Sequence, residues 1–218
     1  MTTFPGSPRL LKGAIVGVDK MNPLASIIVF QYNPDTLTRR LEARSSGGGE
    51  QSDRSDAYRL SGPPKETISL KIEIDASDEV DNLNPAQLIS GIHPTLAALE
   101  MLLYPKSLHV LANAILSNVG MLEIVPPEAP LTLFVWGPHR VLPVRLENFS
   151  ITEQAFDAAL NPIRAEVELS LRVLSYHDLQ VTHPGYGLFM VHQVMKEVLA
   201  TTNVFNSVQN VGAGLKLF

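Results

Sequence analysis

An α+β fold dominated by strands is what this sequence predicts, and two kinds of periodicity carry the prediction. Ile68, Leu70, Ile72 and Ile74 alternate with Ser69, Lys71 and Glu73 over residues 67–75, and Ala165, Val167, Leu169, Leu171 and Val173 alternate with Arg164, Glu166, Glu168, Ser170 and Arg172 over 164–175. A period of two puts each set on one face of a half-buried strand. Helical spacing occurs in residues 88–103, with Leu88, Ile89, Ile92, Leu96 and Leu99, and in 188–199, with Leu188, Val191, Val194, Met195 and Val198. The predicted division is a β domain over 1–176 with a helical insertion at about 84–118, then a C-terminal helix and tail over 177–218.

Taken in order, residues 11–19 and 26–32 are apolar runs separated by Asp19-Lys20-Met21-Asn22-Pro23 and read as two paired strands. Pro34 cannot donate to a ladder and biases Asn33 away from helix, so Asn33-Pro34-Asp35 is expected to form a tight corner before residues 36–44 resume an extended run. Residues 45–56, with Gly47-Gly48-Gly49, have no apolar periodicity and read as a loop that orders on meeting a neighbour. A helix is expected from Pro85 to Leu103, divided at Pro94, and a second over 108–116. Strands follow at 131–136, 141–148, 149–155 and 164–175, and the chain closes with the 188–199 helix and a Gly- and Asn-containing tail.

The 218 residues are 45% hydrophobic and 18% charged, enough for a sizeable core. Net charge is −5 with no dense block of Lys or Arg, which argues against a nucleic-acid footprint. There is no cysteine for a disulfide or thiolate site. The apolar stretch at 13–18 is too short for a signal-peptide core, and no segment reaches the roughly 20 apolar residues of a membrane span, so no membrane insertion is expected. Six histidines show no ligand spacing, and no Gly-x-Ser-x-Gly elbow or phosphate-binding glycine loop occurs, so catalytic, metal and cofactor residues are all expected to be none. The strand carboxylates Glu66, Glu73 and Asp75, like Glu166 and Glu168, read with Lys71 and Arg172 as a solvated or intersubunit strand face rather than a catalytic pair, and Trp136 with Phe134 as a buried anchor or subunit contact.

The run Phe30-Gln31-Tyr32-Asn33-Pro34-Asp35-Thr36-Leu37 resembles the opening of the tube-like domain in contractile injection systems, the phage-tail-derived machines. The similarity continues through the glycine-rich segment, the strand at 67–75, the helical stretch, Leu133-Phe134-Val135-Trp136-Gly137 and Asn161-Pro162-Ile163-Arg164-Ala165, covering about residues 11–176. The resemblance implies a phage-tail-tube-like β-barrel or sandwich with a flanking helical segment. It implies a structural baseplate hub or tube-adaptor subunit, assembled as a sixfold homo-oligomeric ring and joining a spike protein to inner-tube and baseplate proteins. It also implies assembly in the cytoplasm within the contractile particle, and an extracellular location after release.

Alternatives are an inner-tube or tube-initiator subunit and, from another class, a cell-wall- or cargo-binding module of the same machine. In similar proteins a LysM module follows, whereas only about forty residues remain here, too few for a complete one. The expected assembly contacts are Asn33, Pro34, Asp35, Trp136, Leu188, Val191 and Met195, with residues 185–218 an arm that docks on a neighbouring subunit.

Overall fold

The computed structural model describes residues 11–18, 26–44, 60–76, 90–104, 107, 110–111, 115–116 and 130–211, and among these residues seven antiparallel strands form one sheet beside two helices of defined bounds. The strands are β1 (Ala14–Val18), β2 (Ser26–Val29), β3 (Leu37–Glu42), β4 (Lys65–Asp75), β5 (Leu131–Val135), β6 (Val141–Glu153) and β7 (Arg164–Val173). The helices are α1 (His93–Glu100) and α2 (Pro184–Val211). The predicted loop 45–56, residues 84–89 of the first predicted helix, most of the predicted helix 108–116 and the tail 212–218 lie outside the described residues.

The sheet order is β2-β1-β5-β6-β7-β4-β3, so β2 and β3, consecutive in the chain, form opposite edges. A flat sheet of seven strands is about 29 Å across. Eight residue steps from Val29 to Leu37 reach at most about 26–29 Å fully stretched, and the chain bends at residues 31, 32 and 35. The sheet curls, so that Gln31 just beyond β2 meets Asp75 at the end of β4. It is nonetheless open, which corrects the expected barrel or sandwich: among the described residues no backbone ladder joins β2 to β3 or β4. Between the two edge strands the chain passes through Pro34, which has no N–H to give a ladder.

Side chains span that interval instead. Leu37 faces Leu70 in the β3–β4 register, and stepping back six residues brings Gln31 level with Ala76, beside Asp75. There Gln31 Nε2 donates to the Asp75 carbonyl at 2.6 Å and Gln31 Oε1 accepts the Asp75 N–H at 2.7 Å. On the other side Asn33 extends the β1–β2 pairing, its Oδ1 accepting from Gly13 N at 2.9 Å and its Nδ2 donating to the Leu11 carbonyl at 2.8 Å.

The concave face holds the core: Ile15, Ile28, Phe30, Ile68, Leu70, Ile72, Phe134, Leu142, Val144, Val167, Leu169 and Leu171. Trp136 packs on Phe134 at 5.9 Å and on Phe30 at 6.4 Å. Gly13 leaves the room for this trio, because a Cβ there would meet Phe30 and Trp136 ring carbons at 2.7 and 2.8 Å.

The two strands expected at 141–148 and 149–155 are one strand, β6, with a register shift between Leu146 and Asn148. Glu147 is the extra residue of this bulge, and the shift keeps Phe149 and Ile151 opposite Leu169 and Val167 on the core side. Pro94 stands in the first turn of α1, and the turn at Gly91 and Ile92 separates that helix from the helical Ser90, so the break expected at Pro94 falls just ahead of it. Gly91 at φ +57° lies just ahead of it, and the Ile92 N–H reaches the Pro162 carbonyl at 3.0 Å.

Candidate functional site

The outer face of the sheet is divided by chemistry. On β7 and β4 it is charged: Lys71 pairs with Glu166, and Arg164 Nε reaches Asp75 Oδ2 at 2.6 Å. On β6, Arg145 lies opposite Arg172, and Glu147 from the bulge sits between them at 3.5 and 3.9 Å. These surface pairs contribute little stability individually. They make a face suited to water.

On β2, β1 and β5 the outer face is apolar. Ile27 faces Val16, which faces Leu133; Val29 faces Ala14, which faces Val135. All six are outward residues, and Ile27 and Val29 are 51% and 54% exposed at the sheet edge. The inner neighbours Ile28, Ile15 and Phe134 are buried. These three strands are thus apolar on both faces, the pattern of strands covered on both sides.

A second apolar surface runs along α2. The helix starts with Pro184 in its first turn, and Thr201 and Thr202 return their hydroxyls to the carbonyls of Val198 and Leu199 at 2.7 Å, which accommodates these β-branched residues inside it. Its first half belongs to the body: Gly185, Phe189 and His192 are buried, and Phe189 packs edge-on against Tyr176 at 5.9 Å. The expectation that the whole segment from 185 docks on a neighbour is corrected for these turns, because Phe189 completes the chain's own core. From Lys196 to Val204 every residue is exposed. Val191, Val194 and Val198 lie on a stripe turned away from the buried residues, at 65%, 52% and 53% exposure.

The expected contact residues therefore do not converge. Val191 is exposed on the outer stripe of α2, with Leu188 and Met195 half-buried beside it. Asn33 is engaged with Gly13 and Leu11, Trp136 with Phe30 and Phe134, and Pro34 and Asp35 lie in the connection between the sheet edges.

Two features escaped sequence reasoning. The doubly apolar β2-β1-β5 patch was legible in the unbroken runs at 14–18 and 26–30, which lack the alternation of 67–75. The loop between β6 and β7 was not. There Asp157 accepts from Ala159 N and Asn161 N at 2.7 and 2.8 Å and from Asn161 Nδ2 at 2.8 Å. Asn161's hydrogen bonds hold the Asp157 carboxyl below its ordinary value. The loop carries Leu160 at φ +64° with its side chain in solvent.

Beneath β2, Ile28, Phe30, Gln31, Ile72, Ile74 and Ile92 line a cavity of about 70 Å³. Among the described residues no group of three or more His, Asp or Glu could hold a metal, and no helix is long and apolar enough to cross a membrane. The chain matches no protein-family model and no curated protein.

Proposed function

We propose that the chain is a non-enzymatic structural subunit of a phage-tail-like contractile injection machine, a baseplate hub or tube adaptor that forms a ring between the spike and the inner tube. The observation that carries this reading is the β2-β1-β5 patch, whose outer apolar residues are exposed at Ile27 and Val29 and half-buried at Ala14, Val16, Leu133 and Val135 in the single chain, a cost relieved when a second copy covers them. In the proposed ring a different surface of the next subunit covers this patch, a head-to-tail contact that closes on itself. The Phe30-to-Pro34 run, which carries the resemblance, supports the same reading, because its Gln31 and Asn33 side chains tie this connection to Asp75 at the end of β4 and to Gly13 ahead of β1.

Class averages of the purified full-length chain, with mass photometry across concentrations, test the proposal. Rings of sixfold symmetry are expected, and Val29→Asp should abolish them while leaving the subunit folded. A monomer at every concentration, or rings indifferent to Val29→Asp, would sink it. A stacked tube rather than a single ring would identify an inner-tube subunit.

A further inference from the structure

The most charged part of the interior lies under α2. Glu66, on the inward face of β4 with its side chain 5% exposed, accepts Arg39 Nε at 2.7 Å and Nη2 at 2.6 Å on Oε1, and Lys196 Nζ at 3.4 Å on Oε2. Arg140, from the turn between β5 and β6, is close enough to Arg39 and Glu66 to feel both, and its guanidinium has no hydrogen-bond or ion-pair partner among the described residues. One carboxylate therefore serves three cations. Partial burial beside Arg39 disfavours the charged form of Arg140, a cost that a counter-anion would remove.

His192 belongs to the same cluster, with Lys196, Glu66 and Arg39 as charged neighbours. It is 8% exposed, and its Nδ1 lies 3.2 Å from the His139 carbonyl, in the residue before Arg140. A carbonyl only accepts, so Nδ1 carries the hydrogen and Nε2 of the neutral ring is a lone pair. Nε2 is buried and has no partner. An unmet acceptor within a surplus of positive charge is filled economically by an oxyanion that brings its own hydrogen, or by one that draws a proton onto the ring.

We propose that Arg140, Lys196 and His192 Nε2 form an oxyanion-binding site, with Arg39 held by Glu66 as its positive backing. Two sources share this chemistry, phosphate and carboxylate. Inorganic phosphate retains a P–OH near neutral pH and donates it to Nε2, whereas a carboxylate has no hydrogen and binds with proton uptake by His192. The site is independent of ring assembly.

The test uses the full-length chain with ¹⁵N-labelled histidine in a non-phosphate buffer, at ionic strength fixed with sodium chloride. Inorganic phosphate and sodium acetate are titrated separately, following the His192 ring nitrogens and the thermal midpoint. A saturable change in both is expected from at least one of them. Arg140→Ala should weaken it about tenfold or more, the size expected for loss of one charge-assisted hydrogen bond; because Arg140 makes no side-chain bond, this variant folds. A response to phosphate with the ring still neutral identifies a phosphate site, and a response to acetate with Nε2 protonated identifies a carboxylate site. A response no larger than that of chloride for both anions, or one unchanged in Arg140→Ala, overturns the proposal.

Discussion

Gln31 is bonded to Asp75 as a strand residue would be, its side-chain amide giving one hydrogen bond to the Asp75 carbonyl at 2.6 Å and taking one from the Asp75 N–H at 2.7 Å. The partners lie 44 positions apart in the chain, at the ends of β2 and β4 that no ladder joins. Asn33, two residues on, does the same for Gly13 and Leu11. The curled sheet is thereby held across its open seam by the Gln31 amide, while the Asn33 amide anchors the same connection on the β1 side.

Replacing Gln31 with Ala removes both of its hydrogen bonds to the main chain of Asp75 and should cost about 1–3 kcal/mol. Gln31→Glu should be no better, since a carboxylate cannot donate to the Asp75 carbonyl. Urea unfolding measures the loss, and hydrogen exchange at the Asp75 amide localises it. An unchanged midpoint for both variants would mean that the seam contributes nothing.

Gly91 fixes where α1 sits. At φ +57°, a Cβ on this residue would lie 2.3 Å from the Pro162 backbone carbonyl oxygen, and that oxygen is itself held by the Ile92 N–H. Gly91→Ala combines a strained backbone with a clash against main chain, and should destabilise by about 2 kcal/mol or more. Protection should fall in α1 and at Ala76, whose N–H binds the neighbouring Ile163 carbonyl. A fully protected α1 in the variant would show that the loop moves at little cost.

How far these relationships could be read beforehand depends on their range. The strands at 67–75 and 164–175 were legible because Ile68 to Ile74 and Ala165 to Val173 alternate without interruption and pair with each other over nine positions. The bulge at Glu147 was not, because an extra residue resets the alternation and imitates a strand boundary. Sheet closure was misjudged for a different reason: Asn33-Pro34 announces a break, but whether the break is bridged by backbone or by Gln31 depends on Asp75. His192 is in sequence one of six histidines without ligand spacing, and only the placement of β4 and of the turn between β5 and β6 makes it a buried neighbour of Glu66.

Acid should loosen α2 near neutral pH. Burial, and then Lys196, push the His192 pKa below its ordinary value. The folded chain therefore binds fewer protons at this site than the unfolded one. The contribution is fully present above the unfolded value of about 6.5 and is lost as pH falls through the lower folded value. Chemical denaturation from pH 8 to pH 5 should show stability falling below about pH 6.5, with the slope reduced in His192→Gln. Of the charged groups that act on the ring, Lys196 and Arg39 oppose its protonation and Glu66 favours it. A flat profile in the parent chain would place the charged ring in solvent instead.

Truncation separates the two halves of α2. A chain ending at Leu199 keeps Phe189 against Tyr176, His192 against His139 and Lys196 against Glu66, so it should fold with a thermal midpoint close to that of the parent. A chain ending at Pro184 loses Phe189 from the core and uncovers Glu66, and should be destabilised by about 3 kcal/mol or more. If the exposed half of the helix serves as a docking arm, the chain ending at Leu199 should remain a folded subunit that fails to enter the assembled particle. Particles that assemble normally from chains ending at Leu199 would confine the role of α2 to covering the body. Unfolding of that same variant would instead place residues beyond 199 in the subunit's own stability, although Thr201 to Val204 are all exposed.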